Sequence, residues 1–222
     1  MSADVAPAPY TCRTCAKPAA RPLQRGLCGA CRAAEERQSL QAKASDAVRG
    51  LLGREDILIL DTETTGMGKR AEVIEVAVVN TRGETLLDTL VKPKSSRMNP
   101  YAQRVHGITS QMLQDAPAWS EVLPELAELA DRRTVLAWNA PFDRGMLEQT
   151  SHIWGLSHPA WLFVCAMRLY AKGRGIKNRG LQKVLVDEQL THLHAEHKSH
   201  RALGDTVFVL EVLRALGGNK SE

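Results

Sequence analysis

The chain has 222 residues and a net charge of +4, with 44% hydrophobic and 24% charged residues. This length suits one core of about 100–200 residues plus a small appendage, and the composition is ordinary for a globular protein. No stretch approaches the ~18 consecutive apolar residues of a membrane span, and residues 1–10 lack the apolar core of a signal peptide. We therefore expect a cytoplasmic protein without a membrane partner.

The positive charge is concentrated near the N-terminus. Residues 1–50 contain 8 Lys and Arg residues against 4 Asp and Glu residues, whereas residues 51–222 contain 21 of each kind. A basic module attached to a neutral body is suited to holding a polyanion, although the solvated face of an ordinary helix accounts for such charge equally well.

Four of the five cysteines form two Cys-x-x-Cys pairs separated by twelve residues, Cys12 with Cys15 and Cys28 with Cys31. Thiolates at this spacing can enclose one Zn²⁺ tetrahedrally, and so short a segment has too little apolar surface to fold by itself. Two disulfides are the alternative, but the missing signal peptide argues against them. We expect a disordered tail at 1–11 and a zinc-binding module at 12–32 that holds one structural Zn²⁺.

A helical linker, a buried strand and a hairpin are predicted next. Residues 33–53 are rich in good helix formers with few apolar anchors, which predicts a helical linker. The wholly apolar run at 57–60 is typical of a central strand buried on both faces. Residues 73–79 and 84–91, joined by a turn, predict a β-hairpin beside that strand.

The second half of the chain alternates between helix and strand patterns. Apolar spacing at 119–131 predicts a helix, and Cys165 lies in an apolar stretch that we expect in the core. The remaining predicted elements are a strand at 134–138, a helix at 142–150, a strand at 162–164 and a helix at 201–216. A hairpin followed by alternating strands and helices predicts an α/β fold with a mixed five-stranded sheet and helices on both faces.

Three short motifs carry the acidic residues that point to a function. They are Asp61-Thr-Glu63-Thr-Thr-Gly66, Asn139-Ala-Pro-Phe-Asp143 and His200-Arg-Ala-Leu-Gly-Asp205. Side chains two residues apart on a strand point the same way, so Asp61 and Glu63 can bind one ion together. Converging carboxylates repel one another, and divalent cations are the usual counter-charge. Two such ions about 3.5–4 Å apart can hold the attacking and leaving oxygens of a phosphoryl displacement, so the motifs predict a two-metal phosphodiesterase site that cuts nucleic acid.

With these motifs in this order, residues 55–217 resemble the DEDDh subdivision of the DnaQ-like 3′–5′ exonucleases. Two further segments resemble the same family, Asn99-Pro100 with Val105-His106-Gly107-Ile108-Thr109, which would line the binding cleft, and Asn178-Arg179-Gly180-Leu181. The resemblance implies a ribonuclease H-like fold, with a DEDDh exonuclease domain at 54–217 and a short tail at 218–222.

The resemblance also implies a role for each acidic residue and for the histidine. Asp61, Glu63 and Asp205 would hold the ion that bears the nucleophilic water. Asp61, with Asp143 through water, would hold the second ion, and such oxygen sites accept either Mg²⁺ or Mn²⁺. His200 would be the general base, because an unperturbed imidazole has a pKa of about 6.5 and accepts a proton at neutral pH. Five residues turn about 500° on a helix, so His200 and Asp205 cannot face one site from within it, and we expect His200 on the loop ahead.

The substrate contacts follow from the same resemblance. Thr64 and Thr65 would present backbone N–H groups and hydroxyls to the terminal 3′-hydroxyl, and Gly66 lets the backbone come close. Met67 and Ile108 would pack against the terminal base from opposite walls. Ordinary core packing is the alternative for both side chains.

Four histidines outside the three motifs are less specific. His106 either contacts the substrate or holds its own loop through a backbone hydrogen bond. His192, His194 and His197 fit no structural zinc spacing, which favours incidental positions in a polar loop over a second metal site. Position 201 is arginine where the sister subdivision of the family has tyrosine, so Arg201 indicates the histidine variety.

The sequence favours a two-metal-ion 3′–5′ exonuclease that hydrolyses phosphodiester bonds at single-stranded or frayed DNA 3′ ends. It would release nucleoside monophosphates and serve DNA repair or proofreading. An RNA or oligoribonucleotide 3′–5′ exonuclease is one alternative, because discrimination at the 2′-hydroxyl has no sequence signature here. The second alternative is a non-catalytic zinc-ribbon nucleic-acid-binding or adaptor protein. Such a protein would be expected to lack one of the carboxylates, and none is missing.

Two roles are open for the zinc module. It could dock a protein partner, or it could bind nucleic acid through its basic residues, Arg13, Lys17, Arg21, Arg25 and Arg32.

Overall fold

The computed structural model describes residues 10–95 and 97–218. Residues 1–9 and 219–222 of the predicted tails lie outside the described residues, whereas Tyr10 and Thr11, which were expected in the disordered tail, pair with Ala19 and Pro18 in a short sheet. In chain order the strands and helices are β1 (Tyr10–Thr11), β2 (Pro18–Ala19), α1 (Gly29–Leu52), β3 (Ile57–Thr64), β4 (Val73–Asn80), β5 (Thr85–Leu90), α2 (Pro100–His106), α3 (Trp119–Ala130), β6 (Thr134–Ala137), α4 (Ala140–Trp154), β7 (Leu162–Cys165), α5 (Ala166–Arg174), α6 (Leu181–Asp187) and α7 (Ala202–Gly217). Short 3₁₀ segments occupy Gln24–Gly26 and Thr191–Ala195. Every described helix is too short or too polar to cross a lipid bilayer.

The central sheet has five strands in the order β5-β4-β3-β6-β7. The first three strands along the chain, β3, β4 and β5, pair antiparallel, whereas β3 pairs parallel with β6 and β6 with β7. Parallel neighbours need a crossover connection, which α4 supplies between β6 and β7. The predicted mixed five-stranded sheet is confirmed.

Two apolar layers cover the sheet, so helices lie on both of its faces as predicted. Ile59 of β3 points into the layer formed with α5, α6 and α7, while Leu60 points into the layer formed with α3 and α4. Because side chains alternate along a strand, Asp61 and Glu63 continue the row of Ile59 on the face covered by α7. The alternation that fills the core therefore also places the first acidic motif.

Helix α1 joins the N-terminal module to the rest of the chain. It begins at Gly29, earlier than predicted, and so takes the second Cys-x-x-Cys pair into its N-terminal turn. Val48 is buried in the layer with α5 and α7, and Arg49 Nε donates a hydrogen bond to the Gly217 carbonyl at 2.9 Å. The C-terminal half of α1 is therefore packed against α5 and α7.

Three short helices, α2, α5 and α6, have no counterpart among the elements predicted from the sequence. Each has nine residues or fewer, which is too few for an apolar period to show. For α2 the available signal is a cap, because Asn99 Oδ1 accepts the Tyr101 N–H at 2.8 Å and Pro100 takes the first helical position. Strand β3 also runs further than the apolar run, to Thr64, so Asp61 and Glu63 lie within the strand.

Candidate active site

Acidic residues of the first and third motifs meet beside β3. Glu63 lies on β3, and Asp205 lies buried in the first turn of α7. Ligand atoms of Glu63, His200 and Asp205 all lie within 4.8 Å of one another. Asp61 is on the same face of β3, close enough that the charges of Asp143, Asp205 and Glu63 all act on it. Distant stretches of the chain thus bring their carboxylates to one place.

Asp143 reaches this place from the other face of the sheet. It lies in the first turn of α4, is 3% exposed, and accepts a hydrogen bond from Thr62 Oγ1 at 2.9 Å. Thr62 stands between Asp61 and Glu63 along β3, so its side chain points to the opposite face. Asp143 is therefore held beside the group formed by Glu63, His200 and Asp205, which we call the tight group, and not within it.

Burial and the charges of neighbouring carboxylates raise the pKa of all four carboxyl groups. Burial is the largest cause in each case, and it raises the pKa of Glu63 to about 8, that of Asp143 to about 7 and that of Asp205 to about 6. The pKa of Asp61 is raised well above its usual value by burial and then by the neighbouring carboxylates. Carboxylates so crowded cannot all ionise at neutral pH unless cations lie among them. Carboxylate oxygens are ligands that Mg²⁺ and Mn²⁺ prefer, so the residues present fit the predicted divalent ions.

His200 lies on the loop ahead of α7, as its spacing from Asp205 predicts. The helix begins at Ala202, and the His200 N–H donates to Asp205 Oδ1 at 3.3 Å. The backbone of His200 is left-handed, with φ of 55°, a conformation that non-glycine residues seldom adopt. The histidine side chain therefore faces Glu63 and Asp205 from a backbone that its surroundings must hold in place.

Residues 190–201, which we call the histidine loop, connect α6 to α7 and pack closely on α7. A Cβ atom added to Gly204 would overlap the Lys198 carbonyl oxygen, so the loop backbone touches the helix there. The rings of His194 and His197 pack edge-on against Phe208 of α7. These contacts favour the interpretation of both histidines as loop residues and not as metal ligands.

A fifth acidic residue, Glu75, adjoins the cluster and lies outside the three motifs. It is opposite Glu63 in the register of β3 and β4, and it is 2% exposed. Its carboxylate accepts hydrogen bonds from the side chain of Arg201 and from the Ala202 N–H. The sequence signal for this residue is a lone charge in the apolar run of β4, because a charge in a strand buried on both faces needs a partner.

The loop after β3 is closed by its own hydrogen bonds. Thr65 N donates to the Glu72 carbonyl at 2.9 Å, and Thr65 Oγ1 accepts the Glu72 N–H at 3.0 Å. Thr64 Oγ1 donates to the Gly66 carbonyl at 2.7 Å. A Cβ on Gly66 would lie 3.2 Å from Asn99 Cβ, so glycine allows the two segments to approach. The threonine groups thus bind within the loop, and their contact with a 3′-hydroxyl stays a prediction.

Met67, Ile108 and His106 lie in different surroundings. Met67 is 85% exposed, which excludes the core-packing alternative for this side chain. Ile108 is fully buried with Ile74 and Leu113, so it packs in the core and the structure does not bring it to a cleft. His106 is buried, and its Nδ1 accepts the Ile108 N–H at 2.9 Å, which matches the loop-holding alternative.

A groove of about 680 Å³ opens beside the loop after β3. Lys69, Arg70 and Arg97 line it, and within the described ranges none of the three forms an ion pair. Gln149 Nε2 of α4 donates to the Ala71 carbonyl at 2.7 Å, which fixes the loop backbone. The groove therefore presents unpaired positive charge beside the loop that directly follows Asp61 and Glu63 on β3, and such charge favours the binding of a polyanion.

Four cysteines come together in the N-terminal module. Cys12 and Cys15 lie between β1 and β2, and Cys28 and Cys31 lie at the start of α1. All four are free thiols, and their sulfur atoms lie within 4.8 Å of one another. Backbone hydrogen bonds, first from Cys15 and then from Cys28, lower the pKa of Cys12 to about 6, whereas side-chain hydrogen bonds with Cys15 and Cys28 raise the pKa of Cys31 to about 12. A set of four sulfur donors fits a structural Zn²⁺.

The comparisons with known sequences agree with this geometry. The family model described as Exonuclease (RNase_T) matches residues 58–213. An uncharacterized exonuclease of Escherichia phage 186 is 33% identical over 172 residues, which cover 73% of this chain and 88% of that protein. The matched residues of the family model include every carboxylate of the cluster and His200.

Solved structures of nucleases share the fold. Exonuclease X in complex with 5′ overhanging duplex DNA has a TM-score of 0.53 and 25% identity, over 73% of this chain and 93% of that one. The nuclease domain of 3′hExo, a DEDDh family member bound to rAMP, has a TM-score of 0.63 and 17% identity, over 75% of this chain and 94% of that one. These likenesses confirm the ribonuclease H-like fold. Taken with the family match and the acidic cluster, they show that the chain belongs to the Exonuclease family and is a nuclease.

Proposed function

We propose that this protein is a two-metal-ion 3′–5′ exonuclease of the DEDDh type that acts on single-stranded or frayed DNA ends. The observation that carries the proposal is the approach of Glu63, His200 and Asp205 to within 4.8 Å, with the charges of Asp61 and Asp143 beside them. All carboxylates of the three motifs are present. A complete set supports catalysis over the role of a non-catalytic adaptor.

The charges around the site support a pair of divalent cations. Asp61, Glu63, Asp143 and Asp205 carry four negative charges when ionised, and the charge of Glu75 is already paired with Arg201. Two divalent cations balance four carboxylates. Asp61, Glu63 and Asp205 would hold one ion, and Asp61 with Asp143 the other. Such ions, when bound, lower the pKa of water and stabilise negative charge on phosphate oxygens.

His200 is the group proposed to take the proton from the attacking water. It lies in the tight group with Glu63 and Asp205, the two carboxylates proposed to hold the water-bearing ion together with Asp61. An imidazole nitrogen can accept a proton at neutral pH, which a lysine ammonium cannot. The hydrogen bond from its N–H to Asp205 ties its position to that of a metal ligand.

The surroundings of the site support a polynucleotide end as the substrate. The groove lined by Lys69, Arg70 and Arg97 supplies positive charge for backbone phosphates, whose contacts carry no sequence information. The exposed Met67 on the wall of that groove offers an apolar face to a base. We propose DNA over RNA because Exonuclease X, at 25% identity, is a DNA complex. The product would be nucleoside monophosphates, and the role DNA repair or proofreading.

The N-terminal module is proposed to hold one structural Zn²⁺ through its four cysteines. The free thiols and the sulfur distances support this assignment. The exonuclease domain would then comprise 54–217, with α1 between the two parts. A Cys12→Ser variant should bind less zinc in a metal analysis of the purified protein.

The proposed activity is tested on a 5′-labelled single-stranded DNA oligonucleotide with Mg²⁺ or Mn²⁺. The wild-type chain should shorten it stepwise from the 3′ end and leave a circular single strand intact. Asp61→Ala should lower the rate by about 10³-fold or more, because both ions lose a shared ligand. Asp115→Ala, which removes an exposed carboxylate outside the site, should leave the rate unchanged.

Thermal unfolding of each variant shows whether the fold is retained. Metal-dependent cleavage that survives in Asp61→Ala, or cutting of the circular strand, would refute the proposal. The rates on matched DNA and RNA oligonucleotides decide between the DNA enzyme and its RNA alternative.

A further inference from the structure

Glu75, which is buried, and Arg201, which is half-buried, form an ion pair between β4 and the start of α7. Arg201 Nε donates to both carboxylate oxygens of Glu75, at 2.8 and 3.0 Å, and its Nη2 donates to Oε1. The same carboxylate accepts the N–H of Ala202, the first residue of α7, at 2.9 Å. Glu75 therefore fixes the side chain of residue 201 and the backbone of residue 202 at once.

An apolar side chain at position 75 would fill the same space in β4 without an ion pair. Glu75 is 2% exposed, and every other buried residue of β4 is apolar. An ion pair with a buried carboxylate stabilises a fold little compared with apolar packing, because the carboxylate loses its water. A forked guanidinium–carboxylate pair does fix one geometry. The pair therefore contributes a defined position more than it contributes stability.

The residue immediately before this anchored segment is His200. Its φ of 55° is one that non-glycine residues hold only when their surroundings impose it. On its C-terminal side, Arg201 and Ala202 are tied to Glu75. Its own N–H donates to Asp205 Oδ1 at 3.3 Å. Loss of the Glu75 anchor would let the backbone of His200 relax to a common conformation and move its ring.

We propose that the Glu75–Arg201 pair positions His200 against Glu63 and Asp205, so that Arg201 acts on the reaction through His200. This inference rests on the proposed function, because it takes His200 as the group that accepts the proton. Neither Glu75 nor Arg201 touches the reacting atoms in this role, so both are positioning residues.

Arg201→Met tests the pair, since it removes the guanidinium and keeps an unbranched apolar side chain. We expect kcat on the labelled DNA oligonucleotide with Mn²⁺ to fall by about 10²-fold, as it does when a reacting group is misplaced, while KM stays within about threefold. Arg201→Lys keeps the charge and a donor, and should recover part of the lost kcat. Glu75→Gln keeps the shape but not the charge, and should lower kcat in the same direction.

A second forked pair in the chain supplies a matched control. Arg174 Nε and Nη2 donate to the two oxygens of Glu188, both at 2.7 Å, and the Arg174 side chain is 34% exposed against 30% for Arg201. Arg174→Met should lower Tm as Arg201→Met does and leave kcat unchanged. A fall in kcat confined to Arg201 therefore separates positioning from general loss of stability.

A double-mutant cycle with His200→Ala tests whether Arg201 acts through the histidine. We expect Arg201→Met to lower the kcat of the His200→Ala variant by less than about threefold, because the group that it positions is already gone. A loss of about 10²-fold in both backgrounds, or equal kcat values for Arg201→Met and Arg174→Met, overturns the inference. If Arg201→Met does not fold, Arg201→Lys carries the same cycle. A wild-type chain that cleaves no DNA end with Mn²⁺ refutes the proposed function itself, so the two failures are distinguishable.

Discussion

Gly204 is the residue on which the shape of the histidine loop most directly depends. A methyl group at this position would overlap the Lys198 carbonyl oxygen and would lie 3.1 Å from the carbonyl carbon. Both atoms belong to backbone, which cannot rotate away as the end of a flexible side chain can. The loop would have to move off α7, and His200 is only two residues further along the chain.

We expect Gly204→Ala to lower kcat by about 10²-fold, because a displacement of about 1 Å at a reacting group has an effect of that size. KM should stay within about threefold, since the basic groove is untouched. Gly50→Ala is the matched control, because Gly50 is also helical and no atom lies within 4 Å of its added Cβ. That control should keep full activity and gain about 0.5–1 kcal/mol in free energy of unfolding. Equal steady-state kinetics for the two variants would show that the loop adapts.

Single residues differ in how far the sequence predicts them. The spacing of two residues along a strand predicts that Asp61 and Glu63 share a face of the sheet. The spacing of five residues predicts that His200 lies outside the helix that carries Asp205. Both predictions depend only on local geometry. Ile108 is different, because its burial depends on Ile74 and Leu113, and no motif records that contact. The sequence does not distinguish an apolar side chain that packs against a base from one that packs in the core.

Among the elements, α1 differs most from its appearance in the sequence. A segment with few apolar anchors predicts a linker, yet Val48 is 1% exposed and Leu51 and Leu52 pack against the main core. Only a short stretch near the end of the 24-residue helix carries apolar residues on one face. The helix averaged over its whole length is therefore polar, and its apolar face does not show in the sequence. Helices α3, α4 and α7 and the five strands of the central sheet match predicted elements, because apolar spacing or an apolar run marks each of them in the sequence. The short helices α2, α5 and α6 and the two-residue strands β1 and β2 have no such signal, because caps and tertiary contacts, not an apolar period, determine elements this short.

The packing of α1 makes the outcome of truncation depend on where the chain is cut. Removing residues 1–50 takes away Val48, and burying a side chain of this kind stabilises a fold by about 1.5–3 kcal/mol. It also removes the bond from Arg49 to Gly217. We expect this truncated chain to lose about 2 kcal/mol or more in free energy of unfolding by urea titration. Removing residues 1–32 leaves the docked half of α1 and should preserve both stability and nuclease activity.

The shorter truncation is therefore the one that tests the zinc module. If the module grips DNA through its basic residues, the chain that starts at residue 33 should bind DNA with a flatter dependence on salt. An unchanged salt slope would point to a protein partner or a structural role. Equal urea stability of the two truncated chains would contradict the packing of α1 as a source of stability.

For the molecule as a whole, the acidic cluster couples stability to pH and to metal. In the folded state, burial raises the pKa values of Asp205, Asp143 and Glu63 to about 6, 7 and 8, whereas such groups have pKa values of about 4 in an unfolded chain. Between these values the folded chain keeps protons that the unfolded chain has released. The folded state then binds more protons, so its stability falls as pH rises from about 4 to about 8.

We expect the Tm in metal-depleted buffer to fall as pH is raised from about 5 to about 8. Added Mg²⁺ or Mn²⁺ should reverse the fall, and by more at the higher pH, because cations compete with protons for the same carboxylates. Scanning calorimetry across this range, with and without the ion, gives both effects. In Asp61→Ala the gain in Tm from the ion should shrink, since a shared ligand is missing. A wild-type Tm that responds to neither pH nor cations would mean that the four carboxylates are not crowded in solution, and the two-metal proposal would lose its physical basis.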